Sequence, residues 1–489
     1  MTQPNIVVVV MDTARGDYVL GEHAGTPVTP SLESMAESGT HFRNAFAPAP
    51  WTLPSHASLF TGTFPSKHGA HAGHKHLDEQ LTTLPEAFSA GGYETVAVSN
   101  NTWISEGFGF DRGFDRFFKT WQYVQSETDL GTIARARAGF NKHLAAGKEL
   151  FSGNPVVNLV NAVYGRFVRK RRDSGAARSN RWIRRWLRTR AEDRPFFLFV
   201  NYLEPHLEYR PPRSAAAPFL PPGVSYEEAM ATPQDAWAYL VGETDIDSTG
   251  FAALKGLYAG ELAYLDERIG ELRSVLERHG YWKNSIVVVT SDHGENIGDH
   301  GLMDHQYCLY DTLLHVPLIL TGGAFHGEAS SDSLVQLTDL APTLLEEVDI
   351  EAPTMESQLQ GQPLPIHGRN ERSRVFAEYL APQPSIATLE ERFGPLPESV
   401  ESYDRALRAI RTVDAKLITG SDGSRECYWV VDGTAQESQA GESTDGPVAR
   451  GLEATLDEWY SSFEHAEGET PVSIPADVRD SLEDLGYLQ

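Results

Sequence analysis

The sequence predicts an α/β fold built around a parallel or mixed sheet. Five short runs of mostly β-branched and aromatic residues alternate with longer helical patterns, and these runs are 5–10, 95–99, 196–202, 285–290 and 316–320. Strands that are apolar along almost their whole length indicate a sheet covered on both faces. Helix start and stop signals predict helices over 29–39, over about 251–279 and from about residue 339.

Composition narrows the class of protein. The 489 residues include 68 acidic and 41 basic side chains, only nine of them lysines, which gives a formal net charge of −27. A lysine-poor acidic chain stays soluble in high salt, so we expect a salt-adapted (halophilic) source; an acidic mesophilic enzyme is the alternative. The same charge argues against nucleic-acid binding. The absence of an export signal and of any apolar run long enough for a transmembrane segment predicts a soluble cytoplasmic protein.

The composition of the chain changes near residue 355, where prolines become frequent and long apolar runs become rare. We expect a catalytic domain over 1–355 and a smaller C-terminal α+β subdomain over 356–489, with a hairpin of 409–418 with 426–431 and a terminal helix ending near residue 485. A helical insertion over about 120–190 ends in a basic stretch, 166–190, with eleven Lys/Arg and one acidic residue. This stretch could meet an anionic substrate or a membrane surface, or its arginines could simply pair with the acidic body.

Two predicted strands end in side chains that suit a hard cation. Asp12 follows the first strand, and Asp292 and His293 follow the strand 285–290. The carboxyl ends of strands in an open α/β sheet meet at one edge, where ligands bind. Two carboxylates and an imidazole at that edge predict a metal site. Each aspartate alone could equally be a helix cap.

Thr52 stands where a loop runs into a helix, with Pro54 suited to the first turn. The free backbone N–H groups of such a helix start favour an anion. A hydroxyl is a poor nucleophile at neutral pH, but a divalent cation lowers its pKa and fixes its direction. The alternative is a capping threonine without chemistry.

Together these segments resemble the sulfatase family of the alkaline phosphatase superfamily. The matching residues are Asp12, Thr29-Pro30-Ser31-Leu32, Gly39, Phe42, Thr52 with Pro54-Ser55, Thr61-Gly62, His68-Gly69, and Ser291-Asp292-His293-Gly294-Glu295 with Gly298 and His300-Gly301. The resemblance covers most of residues 1–350. It implies an alkaline-phosphatase-like three-layer sandwich with a central, mostly parallel sheet and the smaller C-terminal subdomain.

The resemblance also implies roles for individual residues. One divalent ion (Mn, Ca, Mg or Zn) would be held by Asp12, Asp292, His293 and Thr52. His206 matches a histidine that contacts the anion or protonates the leaving oxygen. His305 occupies the place of an anion-binding lysine in many sulfatases.

Two departures from the family pattern affect the expected chemistry. His56 replaces the arginine of the nucleophile motif, and we count it among the catalytic candidates. Thr52 stands where sulfatases convert Cys or Ser to formylglycine, and threonine, with a methyl group on Cβ, cannot form that aldehyde. Many sulfatases also have Asn in place of His293 and a second Asp in place of Thr13, and members acting on phosphonate or phosphate diesters resemble this chain more closely at those two positions. Phosphoglycerol transferases resemble its set of an acidic ligand, a nucleophilic threonine, an aspartate and a histidine.

We therefore expect a metal-dependent hydrolase or transferase of phosphate or sulfate esters, with phosphodiesterase or phosphonate-ester activity favoured. The substrate would be an anionic small molecule or a glycan- or lipid-linked ester. One alternative is sulfate-ester hydrolysis without formylglycine. The other is an inactive anionic-glycan-binding protein on the same scaffold. Several neighbours stay ambiguous: a loop with His68, His71, His74 and His76 could touch substrate or solvent, and Arg15 and Asp17 could orient the metal shell or pair with each other.

Overall fold

A nine-stranded, mostly parallel sheet forms the centre of the protein. The computed structural model describes residues 3–122, 125, 173–190, 194–327, 330–366, 371–430, 437–438 and 446–466. Its strands, in chain order, are β1 Asn5–Met11, β2 Glu22–His23, β3 Thr26–Pro27, β4 Thr40–Phe46, β5 Glu94–Ser99, β6 Arg116–Lys119, β7 Phe196–Tyr202, β8 Ser285–Ser291, β9 Asn296–Ile297, β10 Met303–Asp304, β11 His315–Val316, β12 Leu318–Thr321, β13 Ser331–Gln336, β14 Val375–Tyr379, β15 Leu407–Arg411, β16 Ala415–Gly420, β17 Arg425–Val430 and β18 Glu437–Ser438. The central sheet runs β11-β4-β12-β8-β1-β7-β5-β6, with β13 beside β4.

The helices cover both faces of this sheet. They are α1 Pro30–Ser38, α2 Thr52–Thr61, α3 Pro65–His68, α4 Leu84–Ala90, α5 Ala176–Thr189, α6 Arg213–Ala216, α7 Tyr226–Ala231, α8 Ala236–Leu240, α9 Ser248–Arg278, α10 Asp311–Leu314, α11 Leu340–Val348, α12 Pro353–Gln358, α13 Ile386–Phe393, α14 Glu398–Glu401 and α15 Pro447–Tyr460. One layer groups α1, α5 and α6 around the long α9, and the other groups α2 with α4 and α11. The predicted three-layer sandwich is confirmed.

Sequence patterning explains the core of the sandwich. Every residue of β1, β7 and β8 is buried, as expected for parallel strands covered on both sides. Helix α1 begins at Pro30, whose missing N–H costs nothing at a helix start. It ends before Gly39, where a Cβ would lie 2.1 Å from the carbonyl oxygen of Leu320, so only glycine fits.

Two predicted strands are interrupted. The run 316–320 divides into β11 and β12 on either side of Pro317, which has no N–H to give to the neighbouring strand β4. The predicted first arm of the hairpin, 409–418, is wrong as a single strand, because the chain turns through 412–414 between β15 and β16.

The C-terminal part forms its own five-stranded antiparallel sheet, in the order β14-β15-β16-β17-β18, with α15 packed on it. A buried ion-pair cluster joins this sheet to the main body: Asp311 of α10 lies 2.7 Å from both Arg411 Nε and Lys416 Nζ. The predicted terminal helix and most of the predicted insertion over 120–190 lie outside the described residues. No described helix combines the length and the apolar character needed to cross a bilayer.

Candidate metal and ester-binding site

The candidate site lies at the carboxyl edge of the central strands. Because β5, β7, β1 and β8 are adjacent and parallel, their ends meet at one edge. Asp12 directly follows β1, Asp292 and His293 directly follow β8, and Asn101 lies two residues beyond β5. The chain topology therefore brings together residues that are up to about 280 positions apart in sequence.

Asp12, Asp292 and His293 each place one possible ligand atom within 4.8 Å of the others. All three side chains are fully buried. One oxygen of each carboxylate already accepts hydrogen bonds. Asp12 Oδ2 accepts one from Asn101 Nδ2 at 2.5 Å, and Asp292 Oδ1 accepts from the backbone N–H groups of Thr13 and His293. These bonds fix the orientation of both carboxylates.

The remaining oxygens fit a cation. Asp12 Oδ1 and Asp292 Oδ2 are buried and accept no hydrogen bond from the described residues. Burial, and then the charge of Asp292, raises the pKa of Asp12 well above its usual range; burial likewise raises the pKa of Asp292. Two adjacent carboxylates in this environment are stable as anions only with a compensating positive charge. Oxygen and imidazole ligands suit a divalent metal ion.

His293 is arranged to offer a lone pair to this centre. Its Nδ1 lies 2.9 Å from the carbonyl oxygen of Gly294, so the proton on Nδ1 is donated to the backbone. Nε2 then faces Asp292 Oδ2 at 3.3 Å. Burial is the main cause that lowers the pKa of His293 well below its usual value, which favours the neutral ring that a metal requires.

Thr52 is the first residue of α2, and its hydroxyl oxygen lies 3.3 Å from His293 Nε2. The helix start is held against the strand ends, since Ser55 Oγ donates to the Asp292 carbonyl oxygen at 2.6 Å. Thr52 is fully buried. Thr13, whose backbone N–H donates to Asp292, has a strained backbone with a φ of 60°. The hydroxyl therefore faces the candidate ligands at a positively polarised helix terminus.

A second polar group borders the first. Glu295, Asp304 and His305 bring one possible ligand atom each within 4.8 Å of one another. His305 Nδ1 lies 2.5 Å from Asp304 Oδ1 and 3.2 Å from Glu295 Oε1. Burial acts to lower the pKa of His305, but these two carboxylates prevail and hold it well above its usual value.

His206 and His305 converge on the same region. The His305 ring centre lies 4.5 Å from that of His293 and 5.2 Å from that of His206. His206 Nδ1 hydrogen-bonds to the Leu207 carbonyl oxygen. Burial, followed by the charge of His305, lowers the pKa of His206 to about 4, so this ring is neutral near pH 7.

His56 lies one turn beyond Thr52 on α2. Its Nδ1 is 2.9 Å from the Thr52 carbonyl oxygen and 3.4 Å from Asp292 Oδ2, and its ring is buried against Phe110 and Phe199. This histidine thus contacts a candidate ligand from the helix side. Burial lowers the pKa of His56.

The ambiguous histidines mostly serve local structure. His68 is buried and its Nε2 lies 3.0 Å from Ser58 Oγ, which ties the loop to α2. His74 and His76 lie near Asp78, at 3.0 and 3.4 Å. The residues of this loop fold largely on one another, with His71 and His74 exchanging backbone hydrogen bonds.

Arg15 and Asp17 pair with each other at 2.7 Å. Arg15 also reaches Asp299, at 2.8 Å, and the Glu295 carbonyl oxygen, at 3.1 Å. This arginine therefore links the segment after β1 to the segment after β8, a few residues beyond the candidate ligands.

Three site residues were missed as such by the sequence reasoning. Asn101 holds Asp12, and its signal was available, because it follows the predicted strand 95–99 just as Asp12 follows the first. Glu295 and Asp304 flank His305; Glu295 stood within a recognised motif, but no pattern assigned it a partner.

The comparisons with known proteins agree with this architecture. A family model described as Sulfatase matches residues 4–350. The chain belongs to the sulfatase family. As a member, it is an ester hydrolase of the alkaline phosphatase superfamily, with a candidate metal site of acidic and histidine residues.

Individual sulfatase-family relatives are distant but extensive. An arylsulfatase of Clostridium perfringens is 25% identical over 76% of this chain and 80% of its own length. The multifunctional alkaline phosphatase superfamily protein PehA of Trinickia caryophylli is 23% identical over 72% of this chain and 75% of its own. The phosphonate monoester hydrolase of Agrobacterium radiobacter shares the fold, with a TM-score of 0.67 at 19% identity over 94% of this chain and 95% of that one.

Proposed function

We propose that this sulfatase-family protein cleaves phosphate diesters or phosphonate esters with Thr52 as the nucleophile. One observation carries the proposal: the Thr52 hydroxyl lies beside His293 and the two buried carboxylates whose free oxygens need a cation. Asp12, Asp292, His293 and Thr52 would hold one divalent ion. Bound there, the ion supplies a positive charge that lowers the pKa of the hydroxyl and offsets negative charge on the ester.

The identity of residue 52 favours phosphorus over sulfur. Formylglycine chemistry releases sulfate by collapse of a hydrate to an aldehyde, and a Cβ that carries a methyl group cannot give that aldehyde. A threonine oxygen can instead attack phosphorus and displace the alcohol, which leaves a phosphoryl-threonine ester. Water, or a second alcohol in a transferase, then attacks that ester and frees the Thr52 oxygen.

Other side chains are placed to assist these steps. His305, held by Asp304 and Glu295, presents a cationic ring beside His293, where it can offset charge on the ester oxygens. His206 is neutral near pH 7, so its ring can contact the ester or accept a proton from the water that attacks the phosphoryl-threonine ester. His56 supports Asp292 from the helix side.

A substrate panel tests this function. Purified protein, stripped of metal and reloaded with Mn, Zn, Mg or Ca, is assayed with the p-nitrophenyl esters of sulfate, phosphate, a phosphate diester and a phosphonate. We expect the diester or the phosphonate to give the highest kcat/KM. A preference for the aryl sulfate would overturn the phosphorus assignment and leave sulfate-ester hydrolysis without formylglycine.

Matched variants separate catalysis from mere binding. Thr52→Ala should abolish turnover yet keep bound metal, whereas Thr52→Ser keeps an attacking hydroxyl and should retain measurable diesterase activity. Full activity in Thr52→Ala would refute the nucleophile. No turnover of any ester by the metal-loaded wild type would instead favour an inactive protein that binds anionic glycans.

A further inference from the structure

Helix α5 has two chemically distinct faces. Its fourteen residues contain five arginines and no acidic residue. Trp182, Ile183, Trp186 and Leu187 form the predicted apolar stripe, and three of them are buried while Trp182 is partly buried. On the opposite side of the helix stands an arginine ridge, which we define as Arg181, Arg184, Arg185 and Arg188, all exposed.

The spacing of the arginine ridge makes it a continuous surface. Its members follow the pattern i, i+3, i+4 and i+7, so they lie on one face of a helix with neighbouring side chains about 5–6 Å apart. Like charges this close repel one another and are mildly destabilising. Packing of the apolar face keeps the helix in place despite that repulsion.

Among the residues that the structure describes, the ridge also lacks counter-charges. Two other arginines of this segment are bonded to the body: Arg190 lies 2.9 Å from Glu94, and Arg178 donates to the carbonyl oxygens of Thr120 and Gln122. None of the four ridge arginines has an acidic partner within 4 Å among the described residues. Within the described part of the chain, whose full sequence has a net charge of −27, these four adjacent cations are uncompensated.

The helix that carries the ridge begins near the candidate site. Ser179, just before it, donates a 2.8 Å hydrogen bond to Asn100, and the next residue, Asn101, holds Asp12. At the other end, Trp186 donates to Glu94 at the start of β5. Helix α5 therefore runs along the outside of the sheet, from the edge that carries the site toward the opposite edge.

We infer that the arginine ridge is an exosite for a linear polyanion that carries repeated phosphate ester groups. A guanidinium group binds such an oxyanion through bidentate hydrogen bonds. A row of four arginines therefore matches a polymer with repeated negative charges better than it matches a single small anion. The inference rests on the proposed function, because one ester of the same chain would enter the site while others lie on the ridge.

A membrane surface fits this ridge less well. Helices that lie on bilayers expose aromatic or aliphatic side chains that enter the acyl boundary. The apolar residues of α5 point into the protein instead, and Val413 of the C-terminal sheet is the one large hydrophobic residue that is strongly exposed among the described residues.

The test compares two variants of equal net charge in the metal-loaded full chain. The ridge variant carries Arg→Gln at 181, 184, 185 and 188. The control carries Arg43→Gln, Arg213→Gln, Arg278→Gln and Arg374→Gln, which are exposed arginines elsewhere. Fluorescence anisotropy measures binding of labelled dextran sulfate and of labelled polyphosphate between 50 and 200 mM NaCl, and a third arm uses vesicles containing phosphatidylglycerol.

We expect the ridge variant to bind polyphosphate at least about tenfold more weakly, with a slope of log K against log salt reduced by about 3. The control variant should bind within about twofold of the wild type. A loss confined to dextran sulfate would overturn the assignment to a phosphorylated polymer. Equal losses in both variants, or a loss confined to the vesicles, would overturn the exosite.

Turnover of the small aryl ester separates this inference from the proposed function. The ridge variant should keep the wild-type kcat/KM on that substrate, because its arginines lie outside the site. Thr52→Ala should lose turnover but bind the polymer normally. An inactive wild type that still binds the polymer through the ridge would refute the proposed function and not the exosite.

Discussion

The hydrogen bond from Asn101 to Asp12 makes the candidate metal site testable without touching a ligand. Asn101 Nδ2 donates to Asp12 Oδ2 at 2.5 Å, and Asn101 is itself fixed, since its Oδ1 accepts from the Trp103 backbone N–H at 3.0 Å and its backbone N–H donates to Asn201. Asn101→Ala removes the only hydrogen bond that the Asp12 carboxylate accepts from the described residues and lets the carboxylate rotate.

The expected loss follows from the partners of that bond. A hydrogen bond to a charged group contributes about 1.5–3 kcal/mol. The same bond lowers the pKa of Asp12, against burial and the charge of Asp292, so its removal makes protons stronger competitors of the metal. We expect the Kd for the ion to rise about 10- to 100-fold.

Isothermal titration of metal-free protein at pH 7.5 measures this change. Asn44→Ala is the matched control: Asn44 is another buried asparagine, whose Nδ2 donates to the Asp332 carbonyl oxygen at 2.8 Å, far from the ligands. The control should bind metal like the wild type. A Kd for Asn101→Ala within about threefold of the wild type would refute the view that Asp12 is a ligand oriented by Asn101.

Three further predictions concern stability. Asp12→Asn removes a buried carboxylate whose pKa is raised, so the metal-free protein at pH 7.5 should melt about 2–6 °C higher while metal no longer stabilises it; a lower midpoint in calorimetry would contradict this. Burial raises the pKa of Glu204 to about 8, so the folded state keeps a proton that the unfolded chain has lost, and stability should fall as pH rises from about 4.5 to 8. Glu204→Gln should flatten that decline in urea titrations, and an unchanged profile would disprove the assignment. Lys416→Met leaves the Asp311 carboxylate with one cationic partner fewer and should lower the free energy of unfolding by about 3 kcal/mol in urea titrations. An unchanged free energy of unfolding would show that this ion-pair cluster does not stabilise the fold.

The sequence was sufficient for the fold and the family because their signals are repetitive. Apolar strands covered on both faces predict a parallel sheet, and the structure confirms this in β1, β7 and β8. The edge rule for strand ends then placed Asp12 together with Asp292 and His293. The same rule would have found Asn101, had it been applied to the run 95–99.

The other site residues and strand boundaries depend on contacts that leave no periodic pattern in the sequence. Asp304 reaches His305 from a two-residue strand in which its own φ is 72°, and no pattern of residue types signals that geometry. The division of β11 from β12 follows from Pro317, but the turn between β15 and β16 has no such marker. The salt-adapted source and the cytoplasmic location stay predictions, as do the domain boundary and the roles of His206 and His56.

Trapping of the covalent intermediate tests the central claim most directly. Metal-loaded protein is mixed with a phosphate diester, quenched in acid within milliseconds, digested and analysed by mass spectrometry. The account predicts a phosphoryl ester on Thr52 that is absent from metal-free protein and from Thr52→Ala. Rapid turnover with unmodified Thr52, or an adduct on another residue, would contradict it.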